Sequence, residues 1–350
     1  MLILGIETTC DETAAAVVQD GRTVLSSVVA SQIDLHAKFG GVVPEIASRA
    51  HLESLHPIIS EALAAAQVTG PQLDAIAVAN APGLIGCLLI GVSAAKALAF
   101  AWSKPLVAVN HVQAHLYSTL LEEGPARKPL TPDPGPLTPL FPAVGLVISG
   151  GHSSIYHVRA FDDVQRIGHT HDDAVGEAFD KVAAILQLGY PGGPEIDALA
   201  RQGNENAIDF PISLLERDSL DFSFSGLKTA VLYHVNGKKG RERDASSLSP
   251  QQKADVAASF QRVAATILVE KLRRATRQYE ARCLIVGGGV SANSAIRTRV
   301  QALGRELRRP VFIPPMKYCT DNAAMIAGLA CPLLQSGKVA DLTLEAVATT

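Results

Sequence analysis

The sequence predicts an α/β protein built from two lobes, each a mixed β-sheet with flanking helices. Three observations predict this. First, the composition is 47% hydrophobic and 19% charged with a single Trp, so the core is aliphatic and the chain globular. Second, residues 2–6, 13–18 and 23–30 are strand-like runs joined by short turns, and helical and strand-like segments alternate after them, the pattern of a mixed sheet. Third, the same order restarts after a proline-rich break at 124–142.

Each element has its own signal. Residues 2–6 form an apolar run that stops at Glu7, and Asp20-Gly21 turns the second strand into the third. Residues 46–66 read as a helix, 75–79 as a strand, 84–102 as a helix and 106–109 as a strand, by apolar periodicity and length. In the second half, 143–149, 153–159 and 165–170 are strand-like, and Gly150-Gly151 marks a turn between the first two. Helices at 174–188 and 253–278, a strand at 283–286, a helix from 292, a strand at 310–313 and a helix from 322 complete the chain. The expected domains are an N-terminal lobe at 1–123 carrying a His pair, a connector at 124–142, and a C-terminal lobe at 143–350 with nucleotide-binding loops. The final helix is expected to pack back toward the first lobe. A duplicated three-strand-plus-helices unit is the pattern of the actin and sugar-kinase fold, with ribonuclease H-like lobes and a nucleotide cleft between them.

The formal net charge is −3, so no global basic field draws nucleic acid. Contact with RNA would need local patches, and residues 238–243, 271–277 and 297–309 are the candidates. The five cysteines are scattered without a CxxC pair, as in a reducing, cytoplasmic setting. The N-terminus reads as a strand and not as a signal peptide. Gly, Ser93 and Lys96 interrupt the apolar stretch 84–102, which fits a buried helix better than a membrane span.

The chemistry concentrates in a few motifs. His111 and His115 are four residues apart, so both imidazoles share one helix face. Such a pair holds a transition metal when a third ligand arrives from elsewhere. Val112 stands where a zinc protease would carry its Glu, which disfavours that chemistry. Turns at 7–13 and 149–153 sit at equivalent places in the two lobes, and adjacent glycines in the second let backbone approach an anion. Residues 287–293 follow a strand and open a helix, a geometry suited to phosphate. No acid follows the next strand at 313–315, so a nicotinamide cofactor is disfavoured. Residues 190–197 read as a rigid glycine-rich turn carrying an acid. No Walker A sequence is present.

With these segments laid out, the chain resembles, nearly end to end, the universal tRNA threonylcarbamoyladenosine transferase family in its bacterial form. The resemblance is carried by Gly5–Thr13, His36–Glu45, Pro82-Gly83-Leu84, the HxxxH pair, Ser149–His152, Asp172–Lys181, Asp221–Thr229, Gly287–Asn293 and Thr320-Asp321-Asn322. Ala114 departs from the usual Gly, and because Ala favours helix the pair should survive. The resemblance implies that Asp321 joins His111 and His115 around one divalent ion, Fe2+ or Zn2+. It implies Val147, Ile148, Ser149, Gly150, Gly151, Asp180, Gly193, Asp197 and Asn293 around the nucleotide, with threonylcarbamoyl-AMP as donor. Glu12, with Asp11, is the candidate to orient or deprotonate the acceptor amine, and His152 is a further candidate to touch the donor. The implied acceptor is the adenosine 3′ of the anticodon in tRNAs reading ANN codons, presented in the anticodon stem-loop. The implied partners are an inactive paralogue of the same fold and a small P-loop ATPase, with no membrane. A small-molecule O-carbamoyltransferase and a non-catalytic actin-like ATPase scaffold are the competing readings.

Overall fold

The computed structural model describes residues 1–124, 140–216, 218–237 and 244–348. Most of the proline-rich connector, at 125–139, and the basic stretch at 238–243 lie outside the described residues. The chain divides into two compact units. The described residues of one fall within Met1–Pro139, Ala160–Asp163 and Pro314–Thr350, those of the other within Leu140–Arg159 and Val164–Ile313.

In the first unit, β1 (Leu2–Glu7), β2 (Glu12–Gln19) and β3 (Thr23–Ser31) form an antiparallel meander. Helices α1 (Ile33–Ala37) and α2 (Pro44–Ala66) lead to β4 (Ala75–Ala81), which pairs in parallel with β1. Helix α3 (Ile85–Trp102) then leads to β5 (Leu106–Asn110), parallel to β4, and α4 (His111–Tyr117) follows directly. With the short β6 (Glu122–Glu123) the strand order is β5-β4-β1-β2-β3-β6. Nearly all side chains of β1, β2 and β4 are buried, because helices cover the sheet and leave no strand face for alternation.

The second unit repeats this scheme. Strands β7 (Ala143–Ile148), β8 (Ser153–Ala160) and β9 (Asp163–His169) come first, and β7 and β8 pair antiparallel. Helices α5 (Val175–Ile185), α6 (Gly192–Ala200), α7 (Ser225–Asn236) and the long α8 (Pro250–Gln278) follow. Strand β10 (Cys283–Gly287) pairs in parallel with β7, and α9 (Ser294–Leu307) leads to β11 (Val311–Phe312), parallel to β10. The order β11-β10-β7-β8-β9 matches β5-β4-β1-β2-β3 strand for strand. The duplication inferred from the sequence is therefore present in topology. The last helix, α10 (Ala323–Gln335), belongs to the first unit.

Four elements differ from expectation. Residues 190–197 are mostly helical, since α6 begins at Gly192. Pro194 stands in its first turn, where a missing N–H costs nothing. Helix α7 was not expected, because Phe224 at its start offers no side-chain cap. The cap comes instead from Asp172, which accepts the N–H groups of Phe224 and Ser225 and the hydroxyls of Ser223 and Ser225. The short α1 was also unforeseen. Helix α3 is apolar enough by length and composition to cross a membrane, yet only a third of it is buried. It packs one face on the first sheet and leaves Ile85, Leu89 and Phe100 exposed, so it is less buried than the sequence suggested.

Candidate active site

The HxxxH pair opens α4. Asn110 caps this helix by accepting the N–H of Gln113 at 3.0 Å, which fixes the first turn and with it His111. The two imidazoles lie edge to face with ring centroids 4.8 Å apart. His111 is 4% exposed and His115 fully buried.

Asp321 reaches this pair through packing. Gly5 on β1 has no Cβ; one added there would stand 2.3 Å from the Ala323 carbonyl oxygen and 2.7 Å from the Ala327 nitrogen. Glycine therefore lets α10 lie directly on the sheet. The start of α10 is set by Asn322, which accepts the Met325 N–H and donates to the Thr320 carbonyl. Asp321, just before that cap, then places Oδ1 3.5 Å from His111 Nε2 and 3.1 Å from His115 Nε2. The three ligand atoms lie within 4.8 Å of one another, the grouping with metal-ligand spacing among the described residues.

These residues fit a metal ion. Ligands about 2.0–2.2 Å from one ion lie about 3.0–3.5 Å from each other, as the His–Asp separations do. Completely buried His115 Nε2 makes no well-aligned hydrogen bond among the described residues and faces Asp321 Oδ1 at 3.1 Å. Buried polar atoms are normally satisfied, and a cation would satisfy this one.

A second layer orients the pair. Fully buried Glu7 ends β1. Its Oε1 accepts the Thr9 N–H at 2.6 Å and its Oε2 accepts from His111 Nδ1 at 2.8 Å. This leaves His111 Nε2 facing Asp321, the carboxylate–histidine arrangement that commonly supports metal ligands. Burial works against charge on His111, but Glu7 and then Asp321 outweigh it and raise the imidazole to about 9. His51 braces the same turn. Its Nε2 donates to the Cys10 carbonyl at 2.9 Å and its Nδ1 accepts from Thr13 Oγ1 at 2.8 Å. Burial holds this imidazole below its ordinary value, which keeps the tautomer neutral and defined. The Pro82–Leu84 motif backs the turn as well, with Leu84 N–H donating to the Thr9 carbonyl at 2.8 Å.

Asp11 and Glu12 follow on this turn, both partly exposed. Burial, then the charges of Asp321 and Asp11, push Glu12 up to about 10. His51 had no role assigned from sequence, and Glu7 only the general one of an acid on the 7–13 turn, able to orient an amine or a metal-bound water. The one available signal was an acid closing an apolar strand at Glu7.

In the second unit, the turn after β7 is closed by Ser149 N–H donating to the His152 carbonyl at 2.8 Å and His152 N–H donating to Ser149 Oγ at 3.1 Å. Gly150 and Gly151 face open space. Val147 and Ile148 are fully buried in β7, so only their backbone can face this turn. Gly288, at φ +90°, lies against the Ile148 carbonyl, and Gly176 of α5 against the Ser149 carbonyl. Asp180 Oδ1 accepts the Gly192 N–H at 2.7 Å. Burial lifts the Asp180 carboxyl above its ordinary value, against the opposing pull of the Gly192 and Gly193 N–H groups. Asp197 accepts from Ser294 Oγ and Arg201, both at 2.8 Å. Asn293 caps α9 through the Ile296 N–H and donates to Gln261 at 2.7 Å. The candidate residues of this unit are thus linked, contact by contact, around the ends of β7 and β10 and the starts of α5, α6 and α9. Ser291, inside the 287–293 loop, is fully buried with an unpartnered hydroxyl.

Comparison with known proteins gives matches over most of the chain. The tRNA N6-adenosine threonylcarbamoyltransferase family profile matches residues 23–328. The protein of that name from Anaeromyxobacter dehalogenans strain 2CP-1 is 50% identical over 98% of this chain and 97% of its own length. That from Symbiobacterium thermophilum is 50% identical over 99% and 95%. Among solved structures, HypF from T. kodakarensis superposes with a TM-score of 0.59 at 16% identity, covering 96% of this chain and 48% of that one. The Acidaminococcus fermentans (R)-2-hydroxyglutaryl-CoA dehydratase component A gives 0.52 at 14% identity, covering 95% and 98%. These two likenesses concern the fold, which is of the actin and sugar-kinase type.

Proposed function

Since this chain belongs to the tRNA N6-adenosine threonylcarbamoyltransferase family, we propose that it moves a threonylcarbamoyl group from threonylcarbamoyl-AMP to N6 of the adenosine 3′ of the anticodon in ANN-reading tRNAs, releasing AMP. The observation that carries the reading is the convergence of His111 and His115 on α4 with Asp321, just ahead of α10, in a chain of this family.

The roles divide between the units. His111, His115 and Asp321 would hold one Fe2+ or Zn2+, as two imidazoles and a carboxylate suit either ion. When bound, the ion supplies a Lewis acid and an anchor for the donor's oxygens. Glu7 keeps His111 Nε2 pointed at the ligand position. The N6 amine is a weak nucleophile, so its proton must leave as the bond to carbon forms. Glu12, with Asp11, would orient that amine and take the proton once positive charge beside Asp321 lets it ionise. AMP is a good leaving group, and the carbonyl–phosphate bond breaks as the new carbon–nitrogen bond forms. The N–H groups of Ser149, Gly150 and Gly151 would receive its phosphate or the carbonyl oxygen, with His152 beside them. Val147, Ile148, Asp180, Gly193, Asp197 and Asn293 would frame the nucleotide.

Partners follow the same reading. The anticodon stem-loop of tRNA is the acceptor, and an anticodon-loop base needs no duplex opening. A paralogue of the same fold would dock on helices of the first unit, such as α2 and α3, where Leu52 and Phe100 are 72% and 75% exposed. A small P-loop ATPase would complete a cytoplasmic assembly. The test is nucleoside mass spectrometry of unmodified ANN-reading tRNA incubated with threonylcarbamoyl-AMP, the partners and either wild-type chain or His111→Ala. Threonylcarbamoyladenosine with wild type alone is the expected result. No product with either chain, given active partners, would overturn the reading.

A further inference from the structure

The arginine-rich stretch 297–309 has no part in the chemistry above. The structure sorts its arginines into two groups. Arg297 donates to the Ser291 carbonyl at 2.7 Å and Arg299 pairs with Glu205 at 2.7 Å, so both are committed to the fold. Arg305, Arg308 and Arg309 are exposed and make no ion pair or side-chain hydrogen bond among the described residues. They line an open cavity of about 400 Å³ at the C-terminal end of α9, together with Gln301 and Val311. The one acid on this helix end, Glu306, is already held by Arg273 at 2.9 Å. The cavity floor depends on Gly304, since a Cβ there would stand 2.2 Å from Val311 Cγ2.

A cation in the last turn of a helix favours the helix dipole, and Arg305 alone would provide that. Three uncompensated guanidiniums around one concavity, in a chain of net charge −3, are more than the dipole requires. Guanidinium is planar, always charged and matched to bidentate phosphate contact. A polyanion meeting an acidic protein needs such local anchors.

We propose that Arg305, Arg308 and Arg309 form a docking site for the phosphodiester backbone of the tRNA, outside the reacting centre. The site reads charge and not sequence, since phosphate contacts position the nucleic acid without specifying bases. This inference rests on the tRNA reading above.

The experiment measures binding of unmodified ANN-reading tRNA to the metal-loaded full chain across a salt series. Wild type is compared with a variant carrying Arg305→Gln, Arg308→Gln and Arg309→Gln, and with Arg305→Glu as a milder second variant. The triple variant should bind about tenfold or more weakly near 0.1 M salt, with the slope of log affinity against log salt reduced by about 2. Metal content and melting temperature should match wild type. Arg305→Glu should move both binding parameters in the same direction. Equal affinity and slope in wild type and variants would overturn this inference and leave the tRNA reading intact. A wild-type chain with no tRNA affinity and no threonylcarbamoyladenosine product would overturn both. Titration with inorganic phosphate is the third arm. Phosphate binding lost in the triple variant, with tRNA affinity unchanged, would make this a small-anion pocket and overturn the docking role.

Discussion

The two units share a strand order but build their sites from different material. The first unit converges side chains in a buried place: His111, His115, Asp321 and Glu7 all lie inside or at the edge of the core. The second presents backbone, with Gly150 and Gly151 facing open space and Gly176 and Gly288 packed against the strand end. One sheet topology thus serves two kinds of recognition. Buried side-chain ligands suit a cation that must be stripped of water, and exposed N–H groups suit an anion that arrives and leaves. The difference also predicts where each unit is vulnerable.

The largest effect should come from removing a ligand in the first unit. His115→Ala or Asp321→Ala should lose bound metal, read by elemental mass spectrometry, and cut transfer by about a thousandfold if the ion takes part in the chemistry. Full activity without metal would break the comparison at its first term. Glu7→Gln comes next. Losing the carboxylate behind His111 should weaken metal affinity by about 10–100-fold, measured by chelator competition, while the far-ultraviolet circular dichroism stays unchanged. Affinity equal to wild type would make Glu7 only a brace for the Thr9 turn.

In the second unit the sensitive change adds an atom. Gly288→Ala forces a Cβ to 2.4 Å from the Ile148 carbonyl at φ +90°, a strain of about 1–3 kcal/mol. Melting temperature should fall by several degrees, and donor KM should rise with metal content unchanged. A drop in metal content would mean that the two sites are not separable as described.

The smallest effect concerns Lys271, fully buried on α8 and donating to the Leu214 and Ser219 carbonyls at 2.6 Å. Burial, then the nearby Arg274 charge, lowers its ammonium to about 8. A lowered folded-state value means that the unfolded chain binds more protons between about pH 8 and the ordinary lysine value of about 10.4. Stability from this group should therefore rise with pH across that window. Lys271→Met should lose that rise relative to wild type in melting curves taken from pH 7.5 to 10. An identical pH trend in both proteins would refute the assignment.

Much of this was legible along the chain because the signals were local. Strands β1, β2 and β7 announced themselves as apolar runs, and the i, i+4 spacing of His111 and His115 needs only helix periodicity. Local signals were weaker where a cap or a turn belongs to a distant segment. Helix α7 is capped by Asp172 from across the unit, and α6 looked like a turn because its first residues are Pro and Gly. Asp321 had no local signal of its own and entered through resemblance.

By itself, then, the sequence determined the duplicated α/β plan, the histidine pair and the glycine turns, since each follows from the period or flexibility of consecutive residues. The tertiary structure brought Asp321 and Glu7 to the histidines, and left three of the five arginines at 297–309 unpaired among the described residues. Those facts depend on Gly5 admitting α10 to the sheet and on Arg273 holding Glu306. The reason is physical: a site made of residues far apart in the chain exists only after packing brings them together.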